Sequence, residues 1–142
     1  MVDFRTAPYA ALVLRVVIGA TFLAHAGAKL FVFTPAGFVK YFGGLGLPEW
    51  MAYGVIALEI GGGLALILGV LPRWIALILS AELLGTIVLV HGARGFFFTN
   101  PGGGWEYPAF WAAAAVALAL VGDGPYAMVR SWPLQTATPD PV

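Results

Sequence analysis

Between Trp50 and Gly92 the only charged side chains are Glu59, Arg73 and Glu82. Pro72 and Arg73 divide this stretch into two apolar runs, Trp50–Leu71 and Arg73–Gly92. Each can cross the ~30 Å hydrocarbon core of a bilayer, which takes about 20 residues. Leu71-Pro72-Arg73 leaves room only for a tight antiparallel hairpin between them, and Pro48 and Glu49 suit the start of the first helix. Two further runs flank the pair: Tyr9–Leu30, and a shorter one, Tyr107–Val121, with aromatic flanks. The predicted fold is an all-α integral membrane protein, an antiparallel four-helix transmembrane bundle. The bundle forms a single domain over residues 1–132, and the proline-rich polar tail 133–142 is expected to be disordered.

Composition excludes the alternatives. The chain is 61% hydrophobic and 10% charged, against roughly 25% charged residues in an ordinary soluble domain. Net charge is zero, which argues against nucleic acid as a partner. There is no cysteine, so disulfide relays, iron–sulfur clusters and covalently attached haem are excluded. Ala24-His25-Ala26 has the form of a signal-peptide cleavage site, but Arg15 and His25 interrupt the apolar region and the run exceeds a typical signal sequence. It reads as a retained span.

Four spans put both termini on one side with the tight hairpin. The loops Phe31–Glu49 and Ala93–Glu106 lie on the other, which is the expected working face. Arg5, Arg73 and Arg130 on one side balance Lys29, Lys40 and Arg94 on the other, so the positive-inside rule does not orient the chain. Phe96–Phe98, Trp105, Tyr107 and Trp111 are expected at the headgroup level. Asn100-Pro101-Gly102-Gly103-Gly104 reverses the chain, glycine accepting positive φ without strain; it lacks the lysine and hydroxyl companions of a phosphate loop.

Ionisable groups inside a membrane are costly and mark candidate sites. Here they are Arg15, Glu59 and Glu82, with His25, Lys29 and His91 nearer the far interface. At ~1.5 Å per residue, Glu59 and Glu82 both fall near the midplane. At about 100° per residue, Arg15, Gly19, Phe22, Ala26 and Lys29 share one face of the first helix, with His25 at its edge. Ala52, Val55, Glu59, Gly62, Gly63 and Leu66 share a face of the second, and Ile75, Ile78, Glu82, Gly85, Thr86 and Leu89 a face of the third. The simplest arrangement points Arg15, Glu59 and Glu82 into one interior, Arg15 pairing with one acid and leaving the other as a candidate proton carrier. The bland reading is a buried pair that only fixes helix register. A noncovalent haem held by His25 and His91 is disfavoured, because His91 lies roughly 180° from Glu82 on an ideal helix. No residue set is assigned to a metal.

Several segments, taken in order, resemble the DoxX family of small four-span membrane proteins. They are Arg15; His25-Ala26-Gly27-Ala28-Lys29-Leu30; Gly46-Leu47-Pro48; Glu59-Ile60-Gly61-Gly62-Gly63; Gly69 with Pro72-Arg73; His91-Gly92 with Gly95-Phe96-Phe97; and Gly103-Gly104-Trp105-Glu106-Tyr107-Pro108. The resemblance runs from about Tyr9 to Trp132. It implies a membrane oxidoreductase or a subunit of one, linked to quinone, in a bacterial-type cytoplasmic (inner) membrane. It also implies roles for Arg15, Lys29, Glu59, His91 and Glu106. Glu82 is not among the positions matched to the family pattern, and its case is physical alone.

The leading expectation is a multi-pass oxidoreductase subunit that binds ubiquinone or menaquinone, with electrons supplied by a partner redox protein. Glu59, Glu82 and His91 are its candidate catalytic residues; His25, Lys29, Arg15 and Glu106 are its candidate cofactor-binding residues. Two rivals stay open: a noncatalytic membrane anchor or assembly subunit that docks through the two loops, and a small proton-coupled transporter, which would have to form a homo-oligomer.

Overall fold

The computed structural model describes residue 3 and residues 5–132, so the predicted disordered tail lies outside the described residues. The described residues form an all-helical membrane bundle. Helix α1 (Ala7–Phe31) is followed by the short α2 (Pro35–Gly44), then by α3 (Trp50–Leu68) and α4 (Pro72–Thr86). A π-helical turn (Ile87–His91) and a 3-10 turn (Gly92–Arg94) extend α4, and α5 is Glu106–Val121. Among the described residues, three stretches are long and apolar enough to cross a membrane: Ala7–Phe31, Trp50–Leu68 and Pro72–Arg94. α5 is apolar but shorter. Val13, Val17, Leu64, Leu84, Phe110 and Leu120 stand exposed on the outside, as lipid-facing side chains do.

Local chemistry sets the boundaries. Thr34 caps α2 by accepting a hydrogen bond from Gly37 N at 3.3 Å, and Pro35 opens its first turn. α3 ends where Gly69 takes a left-handed conformation (φ 74°), and Pro72 starts α4 directly after it. Sequence alone reads residues 31–49 as a loop, although Thr34-Pro35 is a helix-start signal.

α1 packs on α3 and α4 on α5, while α1–α5 and α3–α4 contacts close the ring. The α1–α3 contact is backbone on backbone. A Cβ on Gly19 would fall 2.6 Å from Gly63 O, and one on Gly63 would fall 2.8 Å from Gly19 O. Gly62 faces the other way and receives Leu79 of α4. Gly61, with nothing within 4 Å of a built Cβ, points outward. Gly63→Leu should therefore lower the stability of the detergent-solubilised protein by about 1–3 kcal/mol through overpacking, and Gly61→Ala should not lower it; thermal unfolding of both variants checks this.

The faces predicted for α1 and α3 are the buried ones, with Arg15, Gly19, Phe22 and Ala26 inward on α1 and Ala52, Glu59, Gly62, Gly63 and Leu66 inward on α3. On α4 the buried face is Ala76, Leu79, Ser80 and Leu83, and Ile78 and Leu89 are exposed. The predicted stripe took Glu82 as its centre. Contact with α5, including a Ser80 Oγ–Ala112 O hydrogen bond of 3.2 Å, rotates the true centre by about one residue and leaves Glu82 at the edge.

Candidate functional site

Contacts fix the depth of each polar residue. Gly19 meets Gly63 on antiparallel helices, so Glu59 lies level with Leu23 of α1. The Gly69–Pro72 hairpin sets Glu82 level with Glu59, and the Ser80–Ala112 hydrogen bond sets Trp111 beside both. Glu59, Glu82, Trp111 and His25 thus occupy one layer, supplied by four helices.

That layer borders a cavity of about 870 Å³. His25 and Lys29 line it from α1, Glu59 from α3, and Glu82 and Thr86 from α4; His91 follows from the π turn, and Tyr107 and Trp111 from α5. Helix α2 covers the mouth with Phe38, Tyr41 and Phe42. Arg94, bonded to Gly102 O, lines it as well; the remaining walls are mostly aliphatic or aromatic, the make-up of a site for a flat apolar ligand with few polar atoms.

Lys29 reaches into this cavity. Its Nζ lies 2.7 Å from both carboxylate oxygens of Glu59, and the two side chains are only 14% and 4% exposed. The same ammonium sits 5.3 Å from the centre of the Phe38 ring, tying the cover to the floor. Arg15 is not the partner of Glu59, contrary to the simplest sequence arrangement. From the level of Leu23, Lys29 is six residues away and Arg15 eight. Helical side chains lean toward the helix N-terminus, so Lys29 leans toward Glu59 and Arg15 leans away from it. Arg15 instead donates from Nη1 to the Asp123 carbonyl at 3.0 Å, at the hairpin end. There the Asp123 carboxylate accepts from Ser131 N at 2.8 Å and Oγ at 2.6 Å, and residues 128–129 bond to the α3–α4 turn. Arg15 seals the opposite end of the bundle from the cavity.

His91 does reach the cavity, because the helix distorts. A π turn holds one residue more than an α turn. His91 therefore occupies the eighth position after Glu82 rather than the ninth, roughly 80° away instead of 180°. It is buried, with Nδ1 2.8 Å from Gly103 O and Nε2 2.9 Å from the Tyr107 hydroxyl. Nδ1–H donates to the carbonyl, and Nε2 accepts from the phenol. Both nitrogens are thus held by protein groups, which leaves neither free to take an axial haem position in this arrangement. Glu106 does not line the cavity. Its Oε1 accepts from Phe98 N at 2.9 Å, bracing the loop from within the first turn of α5. Arg94, bonded to Gly102 O, and Asn100, bonded to Arg94 O at 2.8 Å, stiffen the same loop.

Three members of the layer make no side-chain hydrogen bond among the described residues. Glu82 Oε2 is buried and makes no hydrogen bond. His25, whose ring centre is 5.0 Å from that of Trp111, makes no side-chain hydrogen bond among the described residues. Trp111 Nε1 is also buried without a partner, and its ring rests on Phe22 at 4.2 Å. Sequence reading placed Trp111 only as an interfacial ring; its spacing of four from Tyr107 on a helix was the available signal that both face one way.

Comparison with known proteins bears on the same residues. The DoxX family model matches residues 10–92, which include Arg15, His25, Lys29, Glu59, Glu82 and His91. The chain is 31% identical over 112 residues to "Putative oxidoreductase CatD" of Bacillus subtilis (strain 168), covering 79% of this chain and 78% of that one. It is 36% identical over 99 residues to an uncharacterized protein of Haemophilus influenzae (strain ATCC 51907 / DSM 11121 / KW20 / Rd), covering 68% and 72%. No solved structure matches it. With more than half its length matched, from the first helix to the π turn that aims His91, the chain belongs to the DoxX family.

Proposed function

We propose that this chain is a multi-pass subunit of a quinone-linked membrane oxidoreductase and that its cavity takes the quinone head group. The observation that carries this reading is the unpartnered Glu82 carboxyl on the wall of a largely apolar 870 Å³ cavity. A quinone fits what is there: a flat ring suits the aromatic walls, and its oxygens suit the polar groups of one layer. When bound, the quinone supplies two-electron, two-proton redox chemistry. The protein binds and orients the ring, excludes water with α2, and holds a proton at the Glu82 carboxyl. With no cysteine in the chain, a partner redox protein delivers the electrons. The name of the Bacillus subtilis relative, "Putative oxidoreductase CatD", supports the same class.

In this reading α5 is the fourth span. Its 16 residues cover about 24 Å at the usual helical rise, and Trp105 and Tyr107 anchor it at the interface. Both termini then share a side of a bacterial-type cytoplasmic membrane, with the cavity mouth on the other.

An azido-quinone photolabel tests the assignment. Labelled peptides should come from Phe38–Phe42 and Tyr107–Trp111, and excess unlabelled quinone should compete the label away. Labelling spread over the lipid-facing residues Val13, Leu64 and Leu120, without competition, would sink it. The second reading, a noncatalytic anchor, draws on Phe96, Phe97 and Phe98, which stand exposed on a braced loop; it predicts that a partner protein is lost when these three are replaced by serine while photolabelling of the cavity is absent.

A further inference from the structure

The polar side chains around the cavity differ in what they have left to offer. Lys29 and Glu59 satisfy each other through two bonds of 2.7 Å. His91 uses both ring nitrogens, on Gly103 and Tyr107. A ligand approaching these groups would have to break a buried bond before making one, which erases most of the gain. His25, Glu82 and Trp111 carry no such debt: all three line the cavity and none makes a side-chain hydrogen bond among the described residues, but the Trp111 indole can only donate and lies on the flank of the layer.

Their placement adds geometry. α1 and α4 are diagonal corners of the ring of helices, since α1 packs on α3 and α5, and α4 on α5 and α3. His25 lies within two residues of the level of Glu82, about 3 Å by helical rise. A ring in this layer has Trp111 on one flank and the Lys29–Glu59 pair on the other. His25 and Glu82 then meet its opposite edges.

We infer that His25 and Glu82 are the residues that touch the ligand, that they select a ring bearing oxygen at opposite (1,4) positions over one with adjacent (1,2) oxygens, and that Lys29, Glu59 and His91 hold the cavity in shape without contributing to affinity. This rests on the quinone reading of the cavity. Either group serves both states of such a ring. A protonated carboxyl or an imidazole N–H donates to a ring carbonyl, and a carboxylate or a bare imidazole nitrogen accepts from a ring hydroxyl.

The test is a binding titration of the full chain in detergent, followed by quenching of its tryptophan fluorescence. The probes are decylubiquinone, a 1,4-dione, and β-lapachone, a 1,2-dione. Wild type should bind the 1,4 probe saturably and at least tenfold more tightly than the 1,2 probe. His25→Phe and Glu82→Leu should each weaken the 1,4 probe about tenfold or more and narrow that preference. Neither should lower the melting temperature, because each removes a polar group that had no partner. Glu82→Gln, which keeps a donor and an acceptor, should restore binding to within about threefold. His91→Phe should do the reverse, lowering the melting temperature and leaving binding within about threefold. Should the Glu82→Leu protein not fold, Glu82→Gln and His25→Phe still decide the matter. Saturable binding that is unchanged in His25→Phe and Glu82→Leu, or that shows no 1,4 preference, overturns this inference and leaves the quinone reading standing. Non-saturable quenching in wild type overturns the quinone reading, and this inference with it.

Discussion

Glu59→Leu should be among the most destabilising single substitutions in the chain, at about 3–5 kcal/mol. The substitution itself adds an apolar side chain to an apolar wall. The cost comes from Lys29, whose ammonium keeps its inward reach and loses both of its 2.7 Å bonds. Removing both partners together leaves nothing stranded, so Lys29→Met combined with Glu59→Leu should recover most of the loss. Thermal unfolding of the two single variants and the double gives the coupling between them as a double-mutant cycle. Near-additive effects would mean that the ammonium escapes to the interface when its partner is gone, as a lysine near a helix end can do.

Deleting one residue from the third span should have opposite outcomes depending on where it is removed. Val88 lies in the π turn and is 79% exposed. Its deletion converts the π turn to an ordinary α turn and leaves the residues on either side in place. His91 should keep Gly103 and Tyr107, and the protein should melt close to wild type. Ile78 is also half exposed, yet its deletion rotates the following residues, up to the π turn, by about 100°. Leu79 and Leu83 would leave the core and Ser80 would take the fully buried place of Leu79; a large-to-small core loss alone costs about 2–5 kcal/mol. That variant should fail to accumulate as folded protein. Melting curves and size-exclusion profiles of the two deletions settle the point; equal damage from both would mean that the π turn is not an inserted residue.

Much of this could be read from residues because membrane spans obey one strong rule, that backbone polar groups must be satisfied within the segment. The runs around Pro72 and the inward faces of α1 and α3 follow from that rule and from helical periodicity. So does the shared depth of Glu59 and Glu82. Three features escaped because they depend on contacts between helices. The register of α1 on α3, set by Gly19 and Gly63, decides that Lys29 and not Arg15 meets Glu59. The α4–α5 seam turns the buried face of α4 by a residue. The π turn that brings His91 to the cavity has no signature in Ile87-Val88-Leu89-Val90, which reads as an ordinary helix. α2 escaped for a different reason: at ten residues it is too short for a span, and its Thr34-Pro35 start was there to be seen. Glu106 was expected at a cofactor and serves instead as a brace, a role that depends on a loop folding back onto the helix it precedes.

The central claim is that the cavity holds a quinone head group, and Gly85 gives direct access to it. Gly85 lines the cavity, and a Cβ built there meets nothing within 4 Å. Gly85→Phe should therefore fill the site without straining the helix, and Gly61→Phe, which faces outward, is its control. Quenching of the intrinsic fluorescence of the five tryptophans by ubiquinone and menaquinone analogues is the measurement. The account predicts saturable quenching in wild type and in Gly61→Phe, weakened at least tenfold in Gly85→Phe. Quenching that does not saturate, or that is identical in all three proteins, would contradict it.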